Sequence, residues 1–136
     1  MMVSSMKEIV QMLSQHDISP THQRVEIASV LFSKPQHLSA DQVLSIVNAE
    51  KSVVSKATVY NTLGLFARKG LVKEVIIDPS KVFYDSNTSP HYHFYNVDSG
   101  ELQDVMHSDL VLSELPSPPE GTRLETVDVI FKVRHQ

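Results

Sequence analysis

Four helix-periodic stretches, each with its own start signal, run through the first seventy residues and are followed at once by two strand-like runs. That order constrains the fold more than any other feature. Met6, Ile9, Val10 and Leu13 recur at helical spacing, which predicts an amphipathic helix over 5–16. Ser19-Pro20-Thr21 supplies a cap and a helix-compatible proline for a second helix, whose buried stripe is Ile27, Ala28, Leu31 and Phe32 and whose stop is Lys34-Pro35. Ser39-Ala40-Asp41-Gln42 reads as a capping box, with Ala40, Val43, Leu44 and Val47 as the inner face of a third helix. Ser55 caps a fourth helix reaching about Lys69, and Gly70 ends it. Leu71–Ile77 and Lys81–Asp85 then form a hairpin turned at Asp78-Pro79-Ser80. Helices closed by a two-stranded ribbon describe a winged helix-turn-helix.

The remaining residues follow a different pattern. His93–Val97 and Glu101–Val105 form a second hairpin turned at Asp98-Ser99-Gly100. Ser108–Leu115 predicts a short helix before Pro116, and Val127, Val129, Phe131 and Val133 alternate as a strand with one buried face. Charge divides at the same place. Residues 1–84 hold nine Lys/Arg against seven Asp/Glu, and residues 85–136 hold three against nine, within a net charge of -4. The expected fold class is therefore α+β, with a winged helix-turn-helix domain over 1–84 and a small C-terminal α/β domain over 85–136. About fifty residues make a marginal core, so the second domain is expected to bury its sheet against a copy of itself.

The chain contains no cysteine and seven histidines, which excludes disulfides, thiolate zinc sites and thiol catalysis. Its longest aliphatic runs, such as Val75-Ile76-Ile77, are too short for a membrane span or a secretory signal, so a cytoplasmic protein is expected. On the fourth helix Ser55, Lys56, Thr58, Tyr60 and Asn61 form a polar face suited to phosphates and base edges. An ordinary solvated helix face has the same composition, and only the surrounding helix order favours DNA. The triplet His91-Tyr92-His93 sets two imidazoles on one side of an extended segment, with Asp85 upstream, Asp104 on the paired strand and His37 on the loop before the third helix. Imidazole and carboxylate donors without thiolate suit Fe(II), Mn(II) or Zn(II). Packing histidines remain the other reading of the triplet.

Over nearly its full length the chain resembles the ferric uptake regulator superfamily of metal-dependent repressors. The matching motifs are Thr21-His22-Gln23-Arg24, Ser39-Ala40-Asp41, Ser55-Lys56-Ala57-Thr58-Val59-Tyr60-Asn61-Thr62-Leu63, Gly70-Leu71-Val72, and the histidine triplet followed by Gly100. Within the superfamily it looks most like the peroxide-sensing repressors. Asp104 stands where iron-sensing members usually have glutamate, and Asn61 where they usually have arginine. The resemblance implies a regulatory metal, Fe(II) or Mn(II) with Zn(II) as a competitor, held by His37, Asp85, His91, His93 and Asp104. It also implies peroxide-driven oxidation at His37 and His91, operator DNA as partner, and a homodimer.

The departures are specific. Asn96 and Ser99 replace the first of two CxxC pairs, and the chain stops where the second would begin, so no four-cysteine structural zinc site is expected. Val97, Leu102, Val105, Val127, Val129 and Phe131 would then hold the dimer by apolar packing. Pro90 and Tyr92 occupy the positions of a second site found in some relatives, which leaves one metal per subunit. His16, His22, His107 and His135 match no ligand. Three competing readings follow: a sensor of iron, manganese or zinc level without redox chemistry, a non-haem iron enzyme, and a metal-independent DNA-binding module. Five protein ligands leave too little room for a substrate, which argues against the enzyme.

Overall fold

A computed structural model of the chain describes residues 5–136, which divide into two compact units between Thr88 and Ser89. In the first unit α1 (Met6–Gln15) starts at Ser5, whose side chain accepts from the Glu8 amide, and buries Ile9, Met12 and Leu13. α2 (His22–Leu31) is capped by Thr21, so Pro20 lies just outside the helix. β1 (His37–Ser39) comes next and leads directly into α3 (Ala40–Val47), where Ser39 and Gln42 form both halves of the expected capping box. α4 (Lys56–Arg68) starts at Ser55 and ends at Lys69, after which Gly70 takes the left-handed conformation (φ 78°) that stops the helix. β2 (Lys73–Asp78) and β3 (Lys81–Asp85) complete the unit.

The apolar stripes of the four helices meet in one core. Leu13, Ile27, Leu31, Val43, Val59, Leu63 and Phe66 are all fully enclosed there. Asn48 pins the α3–α4 connection. Its amide nitrogen donates to the Val54 carbonyl at 2.8 Å, and its Oδ1 accepts from the amides of Val53 and Val54. The wing has three antiparallel strands in the order β1-β3-β2, rather than the expected two. The extra strand carries His37, which therefore sits on a strand and not on a loop. Three residues, His-Leu-Ser, are too few to show alternation, so β1 left no periodic signal.

The second unit is a three-stranded sheet in the order β5-β4-β6. β4 (Tyr92–Asn96) pairs antiparallel with β5 (Leu102–Val105) and parallel with β6 (Ile130–Val133). At the β4–β5 turn Asn96 Oδ1 accepts from the amides of Asp98 and Ser99, and Gly100 (φ 76°) donates its amide to the Asn96 carbonyl at 2.8 Å. Asp98 ties down the chain end, accepting from the His135 amide at 2.8 Å and facing Arg134 at 3.7 Å. Two sequence expectations fail here. The helix over 108–115 is only a 3-10 turn, His107–Asp109, and Val127–Val129 lie outside the strand that was expected to start there. No helix among the described residues is long and apolar enough to cross a membrane.

Candidate metal centre

In the second unit, antiparallel pairing sets His93 directly opposite Asp104. His91 precedes His93 by two residues and therefore projects to the same side; the two imidazole centroids are 4.6 Å apart. Nε2 of each ring lies 3.5 Å from Asp104 Oδ1. Two atoms each about 2.1 Å from one ion are separated by no more than about 4.2 Å, so Asp104 is near enough to either imidazole to share a cation with it. Both imidazoles are buried, at 7% and 3% exposure, whereas half of the Asp104 side chain is open to solvent. Two imidazoles and a carboxylate without thiolate form the donor set of Fe(II) and Mn(II) sites, and one that Zn(II) also accepts.

His91 is oriented from behind. Its Nδ1–H donates to the Ser89 carbonyl at 2.7 Å, the bond that selects the Nδ1-protonated tautomer and turns Nε2 toward Asp104. The sequence could not announce this contact, because the acceptor is a main-chain carbonyl that any residue type supplies.

The first unit gathers the other two expected ligands. His37 on β1 is the cross-strand partner of Asp85 on β3, and its ring meets Phe83 edge-on at 6.3 Å. Asp85 is 1% exposed and accepts the Asn87 amide at 2.9 Å. A carboxylate so deeply buried is stable only when hydrogen-bonded or paired with a cation. Their strand register is locked one residue further along: the Ser86 amide and hydroxyl both donate to the Gln36 carbonyl at 3.2 Å. The Gln36 side chain donates in turn to the Val30 carbonyl at the end of α2, at 2.8 Å. Gln36, Ser86 and Ser89 are supporting residues that sequence reasoning did not single out.

Three of the four unmatched histidines have other side-chain partners. His107 stacks on Tyr92 at 5.6 Å, His16 bonds the Met12 carbonyl at 2.8 Å, and His22 faces Glu26 at 3.8 Å. On α4, Ser55 and Thr58 serve first as the helix cap: Ser55 Oγ accepts the Thr58 amide and donates to Thr58 Oγ1 at 2.9 Å. Lys56, Tyr60 and Asn61 lie exposed on the following turns. Behind this face burial, with Glu74 and Tyr60 nearby, holds the Tyr84 phenol above its ordinary pKa, so it stays protonated.

With this donor geometry on a winged-helix frame, the comparisons are decisive. The model of the ferric uptake regulator family matches residues 7–131. The chain belongs to the ferric uptake regulator family. The peroxide-responsive repressor PerR of Staphylococcus aureus strain Mu50 is 32% identical over 105 residues, which is 77% of this chain and 71% of that one. A structure of the ferric uptake regulator from Pseudomonas aeruginosa with manganese superposes at TM-score 0.69, with 25% identity, covering 93% of this chain and 96% of that one. The Francisella tularensis ferric uptake regulator with iron gives TM-score 0.70 at 24% identity, covering 88% and 92%. This ferric uptake regulator family member is thus a metal-dependent transcription regulator and not an enzyme. It keeps a His/Asp group able to hold a metal and has no cysteine.

Proposed function

We propose that the protein is a homodimeric repressor that binds operator DNA when loaded with Fe(II) or Mn(II) and senses hydrogen peroxide through its own ligand histidines. The observation that carries this reading is Asp104. Its carboxylate lies 3.5 Å from Nε2 of both His91 and His93, at the position where iron-sensing relatives usually have glutamate. Asn61 on the reading helix points the same way, as does the likeness to a peroxide-responsive repressor.

His37 and Asp85 supply the remaining ligands. An ion held by all five favours the conformation that presents those donors together. Its differential binding energy selects the DNA-binding state. Fe(II) held by these five residues would supply the redox activation of peroxide, with the imidazole ring as the net two-electron reductant. In the net change one peroxide oxygen is inserted at an imidazole ring C–H and the other leaves as water, with His37 and His91 as the receiving residues. An oxygen on the carbon between the ring nitrogens makes both nitrogens amide-like, and the ligand lone pair is lost. Ser89 and Gln36–Ser86 hold the target rings in place, and the open Asp104 edge admits small solutes.

Dimerisation through the sheet unit is supported by its exposed apolar side chains. Phe94 and Phe131 pack on each other at 5.5 Å and are 39% and 37% exposed; Val133 is also 37% exposed. DNA contact is assigned to Ser55, Lys56, Thr58, Tyr60 and Asn61.

His37→Ala tests the link between metal and DNA. Metal-dependent operator binding is expected to disappear while sedimentation still reports a dimer. A variant that binds operator in response to Mn(II) as wild type does contradicts the proposal. The likeness to a manganese-containing ferric uptake regulator favours a second reading, a sensor of metal level with no peroxide response. Peroxide treatment of the Fe(II) form separates the two.

A further inference from the structure

We infer that Asp41, in the first turn of α3, is a positioning residue for DNA reading by α4. This rests on the assignment of α4 as the helix that faces DNA. Asp41 Oδ1 accepts the Tyr60 hydroxyl at 3.3 Å and lies 3.9 Å from Lys56 Nζ. The Lys56 ammonium sits 5.8 Å from the Tyr60 ring centroid, on its face. Three side chains from two helices therefore close a triangle on the exposed side of the domain. The α3 end of that triangle is fixed, since the Ser39–Gln42 capping box brackets Asp41.

A carboxylate is an unfavourable group to place there. The Asp41 side chain is 69% exposed and the Lys56 side chain 68%, and an ion pair that open contributes little to stability. Beside a phosphate backbone its charge is repulsive. Its effect on Tyr60 and Lys56 accounts for its position. Both are long side chains that otherwise sample several rotamers, and holding them before binding reduces the ordering cost of recognition. Asp41 thus lowers affinity for DNA in general while raising discrimination between sequences. A residue with a purely structural role does not separate those two quantities.

The experiment uses the full-length Mn(II)-loaded protein and a duplex that the wild type selects from a random-sequence pool, compared with its scrambled counterpart. Asp41→Ala is expected to bind the scrambled duplex at least as tightly as wild type, while the selected-over-scrambled ratio falls roughly tenfold, the scale of one misplaced base contact. Tyr60→Phe should reproduce the loss of ratio. Asp41→Asn, whose side-chain oxygen still accepts from Tyr60, should keep the ratio near wild type. Asp41→Ala leaving the ratio unchanged, or weakening both duplexes equally, overturns the inference. If at the same time the double variant Lys56→Ala/Asn61→Ala loses the selected duplex, the assignment of α4 stands without it. If that double variant binds as wild type does, the assignment itself fails and the inference with it.

Discussion

Asp104 and His91 show how much of a candidate metal site lies in the groups that orient its proposed ligands. The carboxylate faces both imidazoles only because β4 and β5 pair in the register that opposes it to His93, and His91 presents Nε2 only because Ser89 engages its other nitrogen. Asp104→Ala should leave the fold intact, since that side chain is half exposed, and should lower Mn(II) affinity by at least tenfold in a calorimetric titration. An unchanged affinity would place the metal elsewhere. The residue types of the proposed ligands were legible in the sequence, because a His-x-His pair with nearby carboxylates is a chemical pattern. Their orienting partners were not, because a main-chain carbonyl carries no residue signature and the Gln36–Ser86 contacts join positions fifty residues apart.

At the scale of elements, legibility followed the strength of the local signal. α1, α3 and α4 each have a side-chain cap and an apolar stripe, and each formed within a residue or two of the expected bounds. β1 was missed because it is a strand of three residues that exists only by pairing with β3. The 108–115 helix did not form for the opposite reason. Its Val111 and Leu115 side chains are 83% and 49% exposed, and a helix this short does not hold without a surface to pack on. The alternation from Val127 extends past the sheet because β4 offers partners for β6 only from His93 to Asn96.

Core and turn positions give two predictions at this scale. Phe66→Ala, at a fully buried position on α4, should cost about 3–5 kcal/mol in denaturant unfolding. Gly70→Ala forces a Cβ into the left-handed region at φ 78° and should cost about 1–2 kcal/mol, although nothing lies near enough to clash. A neutral result for Gly70→Ala would mean that the α4–β2 connection can close without a positive φ.

For the molecule as a whole, the absence of cysteine and the two-unit division bear on the same question. In the sheet unit Asn96 closes the hairpin turn and Asp98 accepts from the His135 amide, all through hydrogen bonds between protein groups. Chelation with EDTA should therefore leave far-ultraviolet circular dichroism and the dimer unchanged while metal-dependent DNA binding is lost. Dissociation to monomers on chelation would show that a metal holds the dimer after all. The charge split between residues 1–84 and 85–136 agrees with this division of labour, since the basic half carries α4 and the acidic half carries four of the five proposed ligands. The central claim is that the ligand histidines are themselves the peroxide sensor. Its most direct test loads the protein with Fe(II) or Mn(II), adds hydrogen peroxide, and measures oxygen incorporation by peptide mass spectrometry alongside operator binding. The Fe(II) form should gain one oxygen on His37 or His91 and release DNA, while the Mn(II) form stays unmodified and bound; an Fe(II) form that keeps both histidines intact and its full DNA affinity would contradict the account.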